Sequence, residues 1–185
     1  MKISAVSKEI NEWSGSVLIA GVLEGTIENQ INLLKTIIKD PYLRQRFNDA
    51  KFEGKKSQQL SIELIEGEIK KIVFIGLGKA ENLLIDDFRK AASIGIRQVF
   101  GYEKKLGIFF PWDAFDPSSA AFAVGEAIIL TSTKDLRFKS EAKESTQIKE
   151  VELIGLDVKL AKSAIDEINP ICEGVKFARE LVAAP

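Results

Sequence analysis

Runs of apolar residues along the chain predict four buried strands. Residues 17–22 and 71–78 are almost wholly apolar, and the second run is the clearer of the two. Shorter runs of the same kind occupy residues 107–110 and 151–156. Continuous apolar runs of this length are typical of strands that are buried on both faces of a sheet. The chain is therefore expected to carry a β-sheet at its centre.

Two further strands are predicted from alternating patterns. Residues 60–64 alternate apolar and polar side chains, which indicates a strand with one exposed face. The turn Glu66-Gly67-Glu68 separates these residues from the run at 71–78, so the two strands are expected to pair as a hairpin. Residues 3–6 alternate less regularly and predict a short edge strand.

Apolar residues at helical spacing predict two helices in the first half of the chain. The first covers residues 28–39 and stops at Asp40-Pro41, because a residue before proline disfavours the helical conformation. The second runs from Asp86 to Tyr102, with Asp86 and Asp87 in a first turn that favours negative charge. The expected buried face of this second helix consists of Phe88, Ala92, Gly95 and Val99.

Two more helices are predicted in the second half. Asp116-Pro117 is a strong helix start, because the acid caps the helix and proline suits its first position. The buried stripe of that helix is expected to be Phe122, Gly125 and Ile129. Residues 134–149 are polar and predict a surface connection. Residues 158–183 are helical in pattern, and Asn169-Pro170 either kinks one helix or caps a second.

Strands that alternate with helices predict one α/β domain, a mixed β-sheet flanked by helices. The length of 185 residues and the composition, 45% hydrophobic and 29% charged, are ordinary for a single globular domain.

The residue counts restrict the chemistry that the chain can perform. It contains no histidine and one cysteine, Cys172, which excludes an internal disulfide and argues against Ser-His-Asp, Cys-His and histidine-ligated zinc sites. The carboxylates are spread along the chain and form no cation-loop pattern. We expect no catalytic, cofactor-binding or metal-binding residue in this chain.

Charge and hydropathy argue against a nucleic-acid or membrane partner. The net charge is −1, no stretch of about 20 apolar residues exists, and the N-terminus lacks the apolar core of a signal peptide. We therefore expect a cytoplasmic protein. The one basic cluster is diluted by Asp49 and Glu53, which favours a solvated loop or short helix, held to the body by Phe47 and Phe52, over a phosphate-binding patch. The cluster consists of Arg44, Arg46, Lys51, Lys55 and Lys56.

Several other features could be ligand-binding or catalytic sites, but a structural role is favoured for each. The turn Gly76–Lys79 follows a strand but lacks the third glycine of a dinucleotide fingerprint, so a tight turn is favoured over an anion site. Cys172 is interpreted as a small buried apolar residue. Trp112 follows a strand end, where packing is favoured over ligand contact. Three acidic pairs are interpreted as solvated surface: Asp86/Asp87, Glu141/Glu144 and Asp166/Glu167.

Several segments, in order, resemble one family. The run Lys71-Ile-Val-Phe-Ile-Gly-Leu-Gly-Lys79 and the later Phe88-Arg-Lys-Ala-Ala92 are similar to a pattern in the N-terminal domain of leucyl aminopeptidases, also called cytosol aminopeptidases. Phe52-Glu-Gly-Lys55, Val124-Gly-Glu-Ala-Ile128 and Leu136-Arg-Phe-Lys139 resemble further motifs of that domain. The closing segment, residues 172–185, resembles the helix that joins its two domains.

The resemblance implies a macro-like three-layer α/β sandwich over residues 1–157 and a helical linker over residues 158–185. In that family a C-terminal domain holds two divalent metal ions, zinc or manganese, and the enzyme is a homohexamer that removes N-terminal residues from peptides. The partners implied for this chain are its own catalytic domain and other subunits. Its role would be structural, in assembly or in limiting access to the active site.

Two other hypotheses stay open from the sequence. One is a free-standing macro-type module that binds a nucleotide-like ligand, supported by the turns at residues 76–79 and 21–25. The weaker one is nucleic-acid binding through the basic cluster at residues 44–56. If the chain is instead the N-terminal domain of an aminopeptidase, one helix stripe is expected to pack on the catalytic domain. The stripe consists of Ile171, Val175, Ala178 and Val182.

Overall fold

A computed structural model of the chain describes residues 1–100, 105–132 and 148–182. The strands are β1 (Lys2–Val6), β2 (Val17–Leu23), β3 (Gln59–Glu63), β4 (Lys71–Gly78), β5 (Leu106–Phe109) and β6 (Glu150–Ile154). The α-helices are α1 (Ile27–Leu34), α2 (Leu43–Asp49), α3 (Ile85–Gln98), α4 (Pro117–Ser132) and α5 (Val158–Val182).

The strands form a six-stranded mixed sheet in the order β1-β6-β5-β2-β4-β3. All neighbouring strands are parallel except β3, which runs antiparallel to β4. The predicted hairpin of β3 and β4 and the predicted edge position of β1 are therefore confirmed. The most apolar strands, β2 and β4, lie inside the sheet, where both of their faces are covered.

Helices cover both faces of the sheet and give it three layers. One face packs against α3, α4 and α5 through a core that includes Phe88, Val124 and Ala164. The other face packs against the shorter α1 and α2, through residues such as Leu34 and Phe47. The described part of the chain thus buries its sheet with its own helices, as a unit that folds by itself must do.

Helix α4 is buried more broadly than its sequence stripe predicts. Of the predicted stripe, Gly125 and Ile129 are buried, whereas Phe122 is only half-buried. Ala120, Ala123 and Ile128, which point in other directions around the helix, are buried as well. The reason is that α4 lies between α3 and α5 and contacts both. Small residues allow this close approach: a Cβ atom on Gly125 would collide with the side chain of Ile168 on α5.

Several predicted boundaries are wrong by a few residues. Helix α1 ends at Leu34 rather than at residue 39, because the N–H groups of Ile37 and Ile38 converge on the Leu34 carbonyl in a closing turn. Helix α3 ends at Gln98 instead of residue 102, since Val99 leaves the helical conformation. Strand β6 ends at Ile154, because Gly155 takes a positive φ of 80°. Strand β5 begins and ends one residue earlier than predicted.

Two other expectations agree with the structure. Of the sequence alternatives at Asn169-Pro170, the structure has a single helix, α5, with Pro170 inside it. The polar stretch at residues 42–59 contains the short helix α2, and both Phe47 and Phe52 are buried as expected. Residues 133–147, which include most of the predicted surface connection, lie outside the described residues.

Candidate functional site

The glycine-bearing turn after β4 receives a neighbouring loop. A Cβ atom on Gly76 would collide with the backbone carbonyl of Lys55, and one on Gly78 would meet the side chain of Lys56. Gly78 also has a positive φ of 82°, which favours glycine. The glycines therefore allow the loop at residues 54–58 to lie directly against the strand end, which supports the interpretation as a structural turn.

That loop is clamped to α3 by an ion pair that sequence reasoning missed. The Nζ of Lys56 lies 2.7 Å from a carboxylate oxygen of Asp87, and the same carboxylate accepts a hydrogen bond of 2.9 Å from the backbone N–H of Leu84. Asp87 is 9% exposed. The prediction that the pair Asp86/Asp87 is solvated surface is thus wrong for Asp87, because the helix start turns this side chain inward towards Lys56.

The environment of Asp87 favours its charged form. Burial by itself would raise the pKa of Asp87, but the hydrogen bonds from Lys56 and Leu84 and the positive charges of Lys56 and Lys90 outweigh it, so the pKa is lowered. An acid in the third position of a helix is the only local signal that could have indicated this capping contact. The ionised pair is suited to hold a loop in place, and it offers no proton for acid–base chemistry near neutral pH.

Aromatic side chains fill the space at the carboxyl ends of the central strands, where α/β proteins usually bind ligands. Strand β2 lies between β5 and β4, so the chain order reverses there, and ligands of α/β proteins favour the strand ends beside such a point. The ring of Phe88 lies 5.1 Å from that of Phe110 and 5.8 Å from that of Trp112. The indole N–H of Trp112 donates to the carbonyl of Ile154 over 2.6 Å.

The packing interpretation of Trp112 is therefore confirmed. Gly21, at the end of β2, also lies against this group, because a Cβ atom there would come within 2.8 Å of Leu77 and Phe110. The chain's own side chains thus fill the space beside Gly21, whereas Gly76 lines a small cavity of about 110 Å³ together with Lys56, Asp87 and Lys90.

Carboxylates neutralise most of the basic cluster at residues 44–56. Arg44 pairs with Glu28, Lys55 with Glu53, Arg46 with Asp40 over 2.6 Å, and Lys56 with Asp87. Since four of the five cations already have an anionic partner, the cluster presents little unopposed positive charge to a phosphate backbone.

Cys172 and the acidic pair Asp166/Glu167 agree with their structural interpretations. Cys172 is fully buried, as interpreted from the sequence, and burial, followed by the charge of Glu126, raises the pKa of its thiol. A raised pKa disfavours the nucleophilic thiolate. Asp166 and Glu167 are exposed, while Glu141 and Glu144 lie outside the described residues.

The described residues offer no ligand set for the metal ions that the resemblance implies. Within residues 1–100, 105–132 and 148–182, no three His, Cys, Asp or Glu side chains come together as a ligand set. The described residues therefore do not fit a two-metal centre. In the same ranges, no helix is long and apolar enough to cross a bilayer.

The second half of α5 presents an apolar surface to solvent. Val182 is 88% exposed, and Phe177 and Leu181 are each 62% exposed. Val175, Ala178, Arg179 and Val182 line a shallow apolar depression of about 510 Å³. Large exposed apolar residues in one place indicate an interaction surface rather than a catalytic one.

The sequence is similar to those of cytosol aminopeptidases. The family model described as "Cytosol aminopeptidase family, N-terminal domain" matches residues 19–142. A probable cytosol aminopeptidase of Prochlorococcus marinus (strain MIT 9211) is 47% identical over 185 residues, which are 100% of this chain and 37% of the relative. One from Synechococcus sp. (strain CC9311) is 35% identical over 188 residues, with the same coverage of 100% and 37%. The chain thus spans a little over one third of their length.

Solved structures share the fold. A mutant tomato leucine aminopeptidase superposes with a TM-score of 0.79 at 20% identity, over 100% of this chain and 38% of that one. The bottromycin maturation enzyme BotP in complex with Mn gives a TM-score of 0.63 at 21% identity, over 92% and 32%. Because the identities are low, these two matches concern the fold alone, whereas the sequence relatives show that the chain belongs to the cytosol aminopeptidase family, as its N-terminal domain.

Proposed function

We propose that this chain is the non-catalytic N-terminal part of a metal-dependent aminopeptidase that removes N-terminal residues from peptides in the cytoplasm. The observation that carries the proposal is the exposed apolar second half of α5, which offers a docking surface in a molecule whose described residues hold no metal-ligand set. The cytosolic naming of the relatives supports the compartment.

In this proposal residues 1–157 form the domain body, for which the three-layer arrangement supports a macro-like description, and residues 158–185 form a helical linker. The first half of α5 packs on α4 through Ala161, Ala164 and Ile168, while the second half extends past the body. A helix held at one end and apolar at the other is suited to join two rigid units.

The catalytic part that the proposal requires would hold two divalent metal ions, zinc or manganese, which activate water for peptide hydrolysis. This chain's residues would act outside that chemistry. They would cover the catalytic part, support assembly of a homohexamer and limit access to the active site. The protein would bind neither a membrane nor a nucleic acid, in keeping with the carboxylates that neutralise the basic cluster.

Catalysis can be assigned by assaying the 185-residue chain beside the full-length aminopeptidase on a leucine chromogenic substrate, with zinc or manganese added. We expect turnover from the full-length protein only, and no defined metal site in the 185-residue chain by calorimetry. Metal-dependent turnover by the 185-residue chain that survives re-purification would refute the non-catalytic role.

Docking through α5 can be tested by replacing Val175 and Val182 with Glu. If the stripe is a docking surface, the 185-residue chain should keep its melting temperature, while the full-length protein should lose assembly or activity. Glu173→Lys, on the polar side of the same helix, is the matched control. A collapse of the melting temperature in a strictly monomeric 185-residue chain would mean that the stripe belongs to this domain's own core.

A further inference from the structure

A second apolar depression lies between α1 and α2, far along the sequence from α5. It has a volume of about 550 Å³, and we call it the α1–α2 groove. It exists because α1 ends at Leu34 and the chain makes a closing turn before α2 begins at Leu43. Its lining residues are Ile31, Lys35, Ile38, Lys39, Asp40, Pro41, Leu43 and Arg44.

The rim of the α1–α2 groove is positively charged on balance. Asp40 is neutralised by Arg46, and Arg44 is neutralised by Glu28. Lys35 hydrogen-bonds the neutral amide of Asn32, a contact that leaves its charge uncancelled, and Lys39 is exposed. Lys35 and Lys39 therefore set the charge of the rim, around an apolar floor.

The tip of the β3–β4 hairpin, residues 65–68, has the opposite character. Ile65 is 95% exposed, and Glu66 and Glu68 are exposed beside it. Gly67 makes the turn with a positive φ of 87°. A single exposed isoleucine is ordinary on a protein surface, but here it lies at the start of a tight turn that also carries two exposed carboxylates.

The hairpin tip is held in a fixed position by the residues at its base. Leu64 and Ile69 are buried on either side of it, and the N–H of Leu64 donates to the carbonyl of Lys70 over 2.8 Å. The N–H of Lys70 in turn donates to the carbonyl of Ser16 over 2.7 Å. Because the tip is already ordered, docking it into a partner would cost little conformational entropy.

The geometry points to a contact between two copies of this chain, in which the hairpin tip of each copy docks into the α1–α2 groove of the other; we propose this contact as a second interface. The apolar tip suits the apolar floor, and the carboxylates of Glu66 and Glu68 suit the ammonium groups of Lys35 and Lys39. The base of the tip and the floor of the groove belong to the same core, on one face of the sheet. Because each copy carries both a tip and a groove, a two-fold axis would repeat the same contact in both directions.

The contact is small, so it gives a weak dimer that assembly through other surfaces would reinforce. It does not depend on the proposed aminopeptidase role, because its residues lie outside α5. An experiment can therefore refute one of the two proposals and leave the other unaffected.

Charge reversal tests the contact directly, by sedimentation of the 185-residue chain at high micromolar concentration. One variant carries Glu66→Lys and Glu68→Lys, and a second carries Lys35→Glu and Lys39→Glu. Each variant alone places like charges at both contacts, so we expect its self-association to weaken by about tenfold or more. All the substituted residues are exposed, so the folds should be unaffected.

An equimolar mixture of the two variants supplies the decisive result. In the mixed pair, each tip meets a groove of opposite charge, so dimerisation should recover to about the level of the unmodified chain. Adding Ile65→Ser should weaken dimerisation of the unmodified chain and of the mixed pair. None of these variants changes the surface of α5, so any effect on dimerisation arises from the proposed contact. The proposal is overturned if the unmodified chain stays monomeric, if all variants associate equally, or if the mixture behaves as the sum of its two components.

Discussion

The two halves of α5 have the same spacing of apolar residues, but one half is buried in the core and the other is exposed to solvent. Residues 158–172, the buried half, turn Ala161, Ala164, Ile168 and Cys172 into the core. Residues 173–182, the overhanging half, expose Phe177, Leu181 and Val182. The buried half uses mostly small residues because α4 lies close against it, whereas the overhanging half carries larger side chains that nothing in the described chain covers. Periodicity alone therefore does not tell a core helix from a docking helix.

The largest expected effect comes from breaking the buried half. Ile168→Ala should lower the free energy of unfolding by about 2–5 kcal/mol, because it removes a fully buried side chain that packs on Gly125 and leaves a cavity. The measurement is chemical denaturation of the 185-residue chain. The matched variant Leu181→Ala changes a large apolar residue of the overhanging half that is 62% exposed, and it should cost clearly less; equal losses would contradict the division of α5 into two halves.

A smaller effect is expected from acid, which acts on the ion pair between Asp87 and Lys56 in the domain body. The pKa of Asp87 is lower in the folded protein than in the unfolded chain, where it is about 4. The contacts of the ionised carboxylate therefore stabilise the protein fully when the pH is above about 4. This stabilisation is lost as the pH falls through the lowered pKa of the folded state. At neutral pH, Asp87→Ala should cost about 1–3 kcal/mol.

The measurement for Asp87 is urea unfolding between neutral and acidic pH. The stability difference between the unmodified chain and Asp87→Ala should shrink below about pH 4. Asp166→Ala removes an exposed carboxylate from α5 and should show no such convergence. A pH-independent difference for Asp87→Ala would mean that the loss arises from packing rather than from charge.

The smallest expected effect is a gain of stability in the overhanging half. A Cβ atom on Gly174 would meet nothing within 4 Å, so Gly174→Ala should stabilise the helix by about 0.5–1 kcal/mol through better helix propensity. Gly125→Ala is the contrasting substitution, because its Cβ would collide with Ile168. Circular dichroism during thermal unfolding measures both; stabilisation by Gly125→Ala to the same extent would show that α4 and α5 have room to separate.

Much of the fold could be predicted because it depends on local patterns. The runs at β2 and β4, the alternation in β3 and the capped start of α4 each indicate one type of element over a few residues. Boundaries were less predictable, since the end of a helix such as α1 depends on how a closing turn forms its hydrogen bonds. The order of the strands was not predicted, because it depends on which distant segments pair.

The sequence by itself determined the mixed α/β class, the hairpin, the absence of histidine chemistry and the family. Only the tertiary structure decided that Asp87 turns inward to Lys56, that carboxylates neutralise four of the five cations at residues 44–56, and that the aromatic rings around Phe88 fill the strand ends. It also decided which half of α5 is covered. The physical reason is that hydrophobic periodicity and turn chemistry act within a few residues, whereas burial and charge pairing are set by segments that meet only after folding.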